Sequence, residues 1–202
     1  MTRDISSLFR ILAVASLTCA AAAASAHSDS ADAGGFLSGY IHPLSGLDHL
    51  LAMVAVGIWG ATLGRPLIWA LPIAFPLMMV VGGVLGIARV PLPFVQAGVA
   101  TSVIALGLAI ALAWRAPIPA SIAIVAVFAI FHGHAHGTEL PSTGQPAAYA
   151  AGFVVSTGLL HLAGIAIGLL KSLSYGEKLL RAAGAAIAAT GAWILLGVIG
   201  VA

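Results

Sequence analysis

The sequence predicts an all-α polytopic membrane protein, in which six transmembrane helices form one bundle after a cleaved N-terminal signal peptide. Of the 202 residues, 61% are hydrophobic and only 7% are charged, whereas a soluble domain carries about 25% charged residues. Six apolar stretches also approach the ~20 residues that a helix needs to cross a bilayer. Too few polar side chains remain to cover a body that faces water, so the surrounding medium is lipid.

Residues 1–26 have the organisation of a secretory signal peptide. Arg3 and Arg10 form a positive end, an apolar core follows, and the A-S-A sequence at 24–26 resembles a cleavage site. An uncleaved first span is the alternative. The only cysteine, Cys19, lies in this segment, so the mature chain would contain no disulfide and no thiolate metal site.

Residues 27–202 are predicted to form a single transmembrane domain. Proline, glycine or charged residues separate its apolar stretches, and no soluble domain interrupts them. Eight basic residues stand against six acidic ones without a basic block, so we expect no nucleic-acid partner. No phosphate-binding glycine loop is present, so we expect no nucleotide partner. The predicted spans are approximately 44–63, 67–88, 94–113, 120–137, 148–170 and 179–201.

Basic residues predict the orientation of these spans. Cleavage of the signal peptide would leave the mature N-terminus outside, and six spans return the C-terminus to that side. Only Arg89 then lies outside, in agreement with the cytoplasmic excess of Lys and Arg seen in membrane proteins. The basic residues expected on the cytoplasmic side are Arg65, Arg115, Lys171, Lys178 and Arg181.

The glycine content of 24 residues also bears on how the helices pack. In membranes, pairs of small residues four apart let helix backbones approach closely. Such spacing predicts helix contacts, although it also arises by chance in a glycine-rich chain. The pairs are Gly60/Gly64, Gly82/Gly86 and Gly164/Gly168.

The first polar motif, G-Y-I-H-P-L-S-G-L-D-H at 39–49, opens the first predicted span. His42 and His49 share a face if one helix runs through both, and Asp48 lies about 100° round from His49. An ionisable residue in a span is unfavourable and indicates function, and a carboxylate commonly orients a metal-bound imidazole. The alternative is that Asp48 caps a helix and His42 is an interfacial residue.

The second motif, F-H-G-H-A-H-G-T-E at 131–139, closes the fourth predicted span. His132 and His136 are i and i+4, so both rings project from one face. Glu139 is i+3 from His136 and joins that face if the helix persists. His134 is expected to point elsewhere, towards solvent or a second site. The alternative is a solvated histidine-rich loop.

The predicted topology places both motifs near the same face of the membrane, where they can form one site. Imidazole and carboxylate ligands without sulfur suit nickel, cobalt, zinc, copper(II) or iron(II), and the ligand types alone do not choose between them. Since the ligating histidines must be neutral, we expect binding to weaken as the pH falls through about 6.5.

Three further histidines are candidates for secondary metal positions. His161 lies deeper, in the fifth predicted span with Ser156 and Thr157 nearby, and is either a second stop for the metal or a packing residue. His27 would become the new N-terminus, where its amine and imidazole could bind a metal loosely. His134 completes this secondary set.

The two motifs resemble those of the HupE/UreJ family. The resemblance rests on H-P-L-S-G-L-D-H-L-L-A-M-V-A-V-G-I-W-G at 42–60 and on the motif at 131–139, and it extends over essentially the whole chain. Members are hydrogenase- and urease-accessory membrane proteins regarded as nickel or cobalt permeases. The resemblance implies that the metal is served by His42, Asp48, His49, His132, His136 and Glu139.

The resemblance implies a transporter rather than an enzyme. It would sit in the bacterial inner membrane with both termini periplasmic. It would import nickel or cobalt from the periplasm for maturation of a metalloenzyme such as hydrogenase or urease. The metal is the transported ion, the lipid bilayer is the second partner, and a homo-oligomer is compatible with the sequence.

Three other functions remain open at the level of the residues. One is an intramembrane zinc-dependent hydrolase with histidine ligands and Asp48 or Glu139 as the base. The second is a haem-binding membrane subunit that uses paired histidines. The third is a sensor or accessory subunit that binds a metal without transporting it.

Overall fold

The computed structural model describes residues 35–139 and 145–201, so the predicted signal peptide and His27 lie outside the described residues. Regular structure in the described part is entirely helical, which confirms the predicted all-α class. The helices are α1 Gly35–Ser45, α2 Leu47–Leu63, α3 Leu67–Ile87, α4 Val95–Ala111, α5 Ile118–Thr138, α6 Pro146–Gly168 and α7 Gly176–Val198, with a 3₁₀ turn at Leu169–Ser172 between α6 and α7.

Several of these helices could cross a membrane. Helices α3, α5, α6 extended by its 3₁₀ turn, and α7 are each long and apolar enough. Helices α1 and α2 pass the same test as one broken element, which gives up to five candidate spans among the described residues. Helix α4 is apolar but has only 17 residues. The predicted polytopic helical protein is confirmed, whereas the count of six spans stays a prediction.

The first motif does not lie on one continuous helix, so the condition under which His42 and His49 would share a helix face is not met. The chain breaks at Gly46, which has an extended conformation with φ −98° and ψ 117°, and α1 and α2 are bent by 82°. Pro43 lies near the end of α1 rather than in the first turn of a helix. Ser45 Oγ donates to the His42 carbonyl at 2.7 Å, which satisfies part of this helix end.

Glycines let α3 and α5 pack backbone to backbone. A Cβ added at Gly82 would overlap the Ile130 carbonyl, and one at Gly133 would overlap the Met79 carbonyl. The Gly82/Gly86 and Gly164/Gly168 pairs therefore make the close helix contacts that their spacing predicts. Gly64 instead has φ +84° with nothing within 4 Å of its added Cβ, so it serves the turn into α3 and not a helix contact.

The helix directions separate the two motifs from most of the cations. The α1–α2 junction, the end of α5 and the start of α6 meet at one end of the bundle. At the other end Lys171 Nζ donates to the Ala61 carbonyl at 2.5 Å, and Arg181 Nε donates to the Ala111 carbonyl at 2.8 Å. We call these the histidine end and the basic end.

Candidate metal centre

Histidines from three helices meet at the histidine end. His42 of α1 and His136 of α5 are hydrogen-bonded, with 2.9 Å between Nε2 and Nδ1. The ring centroid of His49, in the first turn of α2, lies 4.3 Å from that of His136 and 4.8 Å from that of His132. Two motifs about 90 residues apart in sequence therefore join in one cluster, which we call the histidine cluster: His42, Asp48, His49, His132 and His136.

Asp48 fixes the orientation of His49. Its Oδ1 accepts a hydrogen bond from His49 Nδ1 at 2.7 Å and from the His49 backbone N–H at 2.8 Å. A carboxylate only accepts, so Nδ1 carries a ring proton, and in the neutral imidazole Nε2 keeps a lone pair. The residue at the N-cap of α2 is Gly46, without a side-chain cap bond, so Asp48 does not occupy the capping position that the alternative interpretation gave it.

Ser102, on the short helix α4, fixes the orientation of His132 in a similar way. Its single hydroxyl proton points to the Val99 carbonyl at 2.6 Å, while His132 Nε2 lies 2.8 Å from the same oxygen. His132 Nε2 must therefore donate to Ser102, which leaves the lone pair on Nδ1. The sequence analysis did not place Ser102 at the site, because the contact joins two helices whose relative rotation the sequence does not show.

Three ring nitrogens in the cluster are buried without a hydrogen-bond partner among the described residues: His49 Nε2, His132 Nδ1 and His136 Nε2. A buried polar atom left unpaired costs about 1–3 kcal/mol, so such atoms indicate a site for a ligand or water. The lone pairs on His49 and His132 are the form of imidazole that binds a metal.

The histidine cluster is not already arranged around a metal ion in this conformation. Within the described residues, no three His, Cys, Asp or Glu side chains are already spaced to hold a metal ion. The bond between His42 and His136 occupies one nitrogen on each ring. Rotation of these rings is therefore needed before the cluster can surround an ion.

Aromatic side chains line the histidine cluster. Phe153 of α6 lies 4.6 Å from His136, centroid to centroid, and Tyr149 lies 5.9 Å from His42. Their carbon surfaces exclude water, which strengthens the interaction of a cation with the cluster.

Phe75 of α3 contacts both the cluster and a second polar group, which lies deeper in the bundle. The Phe75 ring lies 5.4 Å from His132 and 5.5 Å from His161. His161 is 2% exposed and Thr157, one turn earlier on α6, is fully buried. His161 Nε2, Thr157 Oγ1 and Ser156 Oγ have no hydrogen-bond partner among the residues described. The structure thus places His161 deeper than the two motifs, as the sequence predicts.

Glu139 and His134 lie outside the cluster. Helix α5 ends at Thr138, so the helical face that was expected to include Glu139 stops short, and this residue is exposed. His134 points away from the His132–His136 face, as predicted, but it is buried and not solvated. Its Nε2 donates to the Val90 carbonyl at 2.8 Å, which ties α5 to the segment after α3.

The fold and the cluster together define a helical membrane protein with a partly buried histidine–carboxylate site formed by two sequence motifs. A family model described as "HupE / UreJ protein" matches residues 15–194. The chain therefore belongs to the HupE/UreJ family. It is 46% identical over 165 residues to "Protein HupE" of Rhizobium leguminosarum bv. viciae, with 82% of this chain and 86% of that protein covered. No solved structure matches the chain.

Proposed function

We propose that this protein is a permease that imports a divalent transition-metal ion, nickel or cobalt, through the histidine cluster. The observation that carries the proposal is the set of unpaired nitrogens on His49, His132 and His136, buried together inside an apolar helical bundle. Ionisable and polar groups at such a position mark ion pathways. Membership of the HupE/UreJ family favours nickel or cobalt over the other metals that imidazole binds. It also favours a role in supplying the metal for maturation of hydrogenase or urease.

The break between α1 and α2 supports transport. Discontinuous membrane helices bring backbone and side-chain ligands to the binding sites of many transporters. Here the bend at Gly46 leaves both His42 and His49, which belong to separate helices, in contact with His136. We infer that α1 and α2 form one broken span, and that α4 completes a bundle of six spans.

The proposed orientation places the histidine end in the periplasm and the basic end in the cytoplasm of a bacterial inner membrane, with the predicted signal peptide removed. The cations at the basic end agree with the cytoplasmic excess of Lys and Arg. A dication moving inward then gains about 4.6 kcal/mol per 100 mV. The membrane potential is therefore a sufficient driving force, and exchange for protons on the histidines is equally compatible.

His161 and Thr157 are proposed to form the next binding position for the ion after the histidine cluster. Phe75 contacts both His132 and His161, and the unpaired nitrogen of His161 and oxygen of Thr157 offer the next polar atoms towards the basic end. With fewer ligands than the cluster, this position would hold the ion weakly and release it. His134 is assigned a structural role, because its Nε2 is already bonded to Val90. Glu139 would act at the exposed mouth of the cluster.

The test is uptake of radiolabelled nickel and cobalt into proteoliposomes containing purified protein. We expect Asp48→Asn and His49→Ala to lower both metal binding and uptake at least tenfold, since loss of an orienting partner costs 10–100-fold in affinity. His161→Ala should retain binding but slow uptake. The matched control, His134→Gln, keeps a donor for Val90 and should transport normally.

The proposal is overturned if Asp48→Asn and His49→Ala insert normally and transport as well as the wild type. Wild-type protein that shows no uptake but retains stoichiometric zinc after washing with chelator would overturn it as well, and would favour the hydrolase alternative.

A further inference from the structure

Two cavities of about 370 Å³ each meet at Trp114, beside the basic end. The first has almost entirely apolar walls, formed by residues of α2, α4 and α5 that include Leu106 and Phe128. The second is lined by Arg115, Lys171, Arg181 and Glu177, among others. Trp114 lines both cavities, so a basic pocket and an apolar groove lie side by side at this residue.

The basic pocket carries an excess of positive charge. Three cations face one carboxylate, so its formal net charge is 3 − 1 = +2. Nothing on the histidine cluster contributes to this pocket, which lies at the other end of the bundle. The pocket therefore attracts an anion independently of any metal.

Hydrogen-bond donors remain available in this pocket. Lys171 Nζ uses two of its three protons on the Ala61 and Thr62 carbonyls. Towards the residues that the structure describes, Arg181 donates only through Nε, to the Ala111 carbonyl, so both of its terminal nitrogens are left. Arg115 is exposed and makes no hydrogen bond or ion pair to another described residue. Guanidinium groups with unused donors in this arrangement suit the oxygens of a phosphate.

Local contacts hold the pocket in position. Lys171 and Arg181 are fixed by the carbonyls at the ends of α2 and α4. The Trp114 carbonyl accepts a hydrogen bond from Trp59 Nε1 at 3.2 Å, and the two indoles are stacked at 5.9 Å. The basic and apolar walls therefore keep their relative position without a ligand.

We propose that this composite cavity binds an anionic phospholipid, with the phosphate on Arg115, Lys171 and Arg181 and an acyl chain in the groove beside Trp114. Basic pockets between membrane helices on the cytoplasmic side recognise anionic headgroups. A free phosphate would fill only the basic pocket, whereas a lipid also covers the contiguous apolar groove. The proposal does not rest on metal transport.

The experiment measures lipid retained by full-length protein after reconstitution with equal amounts of phosphatidylglycerol and phosphatidylcholine, by native mass spectrometry. Arg115→Gln should lower retention of phosphatidylglycerol about fivefold, the effect of one basic residue near an anionic surface. Lys178→Gln is the matched charge control, because Lys178 does not line the pocket. Ala123→Phe should fill the groove and lower retention, whereas Ala182→Phe, outside it, should not.

Three outcomes would overturn the proposal. One is equal retention of both lipids by the wild type. Another is an equal loss with Lys178→Gln and Arg115→Gln, which would indicate diffuse surface charge only. The third is displacement of bound phosphatidylglycerol by glycerol phosphate at the same concentration at which added phosphatidylglycerol displaces it. That result would indicate a site for soluble anions.

Discussion

At the scale of the residue, two side chains decide which nitrogens of the cluster carry lone pairs. Asp48 holds the proton of His49 on Nδ1, and Ser102 Oγ accepts a hydrogen bond from His132 Nε2. Each ring therefore presents its other, unpaired nitrogen as a lone pair. Such partners are as important to a metal site as the ligands themselves, since they fix the tautomer and orientation of the ring.

Ser102→Ala tests this role. Loss of the hydroxyl leaves His132 Nε2 without its acceptor, so the ring can rotate or exchange tautomers, and nickel affinity should fall about 10–100-fold. Binding measured by isothermal titration calorimetry, together with uptake, checks this expectation. Ser102→Thr keeps the hydroxyl and should restore binding. Ser121→Ala is the control, because Ser121 is equally buried but bonds only backbone carbonyls. Unchanged affinity in Ser102→Ala would refute the assignment.

At the scale of the element, the close contact of α3 and α5 positions half of the cluster. His132 and His136 flank Gly133 on α5, and the absence of a side chain there lets α5 lie against the Met79 carbonyl of α3. The same contact brings Phe75, one turn before Met79, to His132. Helix packing through glycine therefore sets the depth and orientation of the histidines.

Gly133→Ala should separate these helices. Its Cβ would overlap the backbone of α3, which cannot move aside as a flexible side chain can, so we expect a loss of about 1–3 kcal/mol in stability. Thermal unfolding in detergent measures the loss, and nickel uptake should fall with it. Gly158→Ala is the matched control, since nothing lies within 4 Å of its added Cβ and alanine favours a helix. A Gly133→Ala protein as stable as Gly158→Ala would contradict the prediction.

At the scale of the whole molecule, the proposed function depends on the separation of the histidine end from the basic end. Lys171 and Arg181 bind the ends of α2 and α4, while Arg89 lies at the other end, beside the segment that His134 contacts. This distribution agrees with the orientation proposed from charge alone. In the proposed import, the cation would enter at the histidine cluster and leave near the basic end.

Single-cysteine labelling tests the orientation. In a Cys19→Ser background we expect Pro93→Cys, in the exposed α3–α4 connection, to react with a membrane-impermeant maleimide added to spheroplasts. Ser172→Cys, at the basic end, should react only after permeabilisation. The control is the labelling of each cysteine in fully permeabilised cells, with which the labelling in spheroplasts is compared. The opposite pattern would reverse the proposed direction of transport.

The sequence by itself determined the medium, the two motifs and the end-to-end distribution of charge. Apolar composition, helical spacing and Lys/Arg placement are local properties, so they predicted membrane helices and placed His132 and His136 on one face. The family followed from the same motifs and is confirmed by the match over residues 15–194.

Only the tertiary structure decided how the histidines meet. The break at Gly46, the bond between His42 and His136, and the support of His132 by Ser102 all depend on contacts between separate helices. Such contacts arise from the rotation and depth of each helix in the bundle. Backbone packing at glycine sets these quantities, and hydrophobic periodicity cannot specify them when a helix is apolar on every side. The sequence likewise left open whether the helix persists to Glu139, and the folded α5 ends at Thr138.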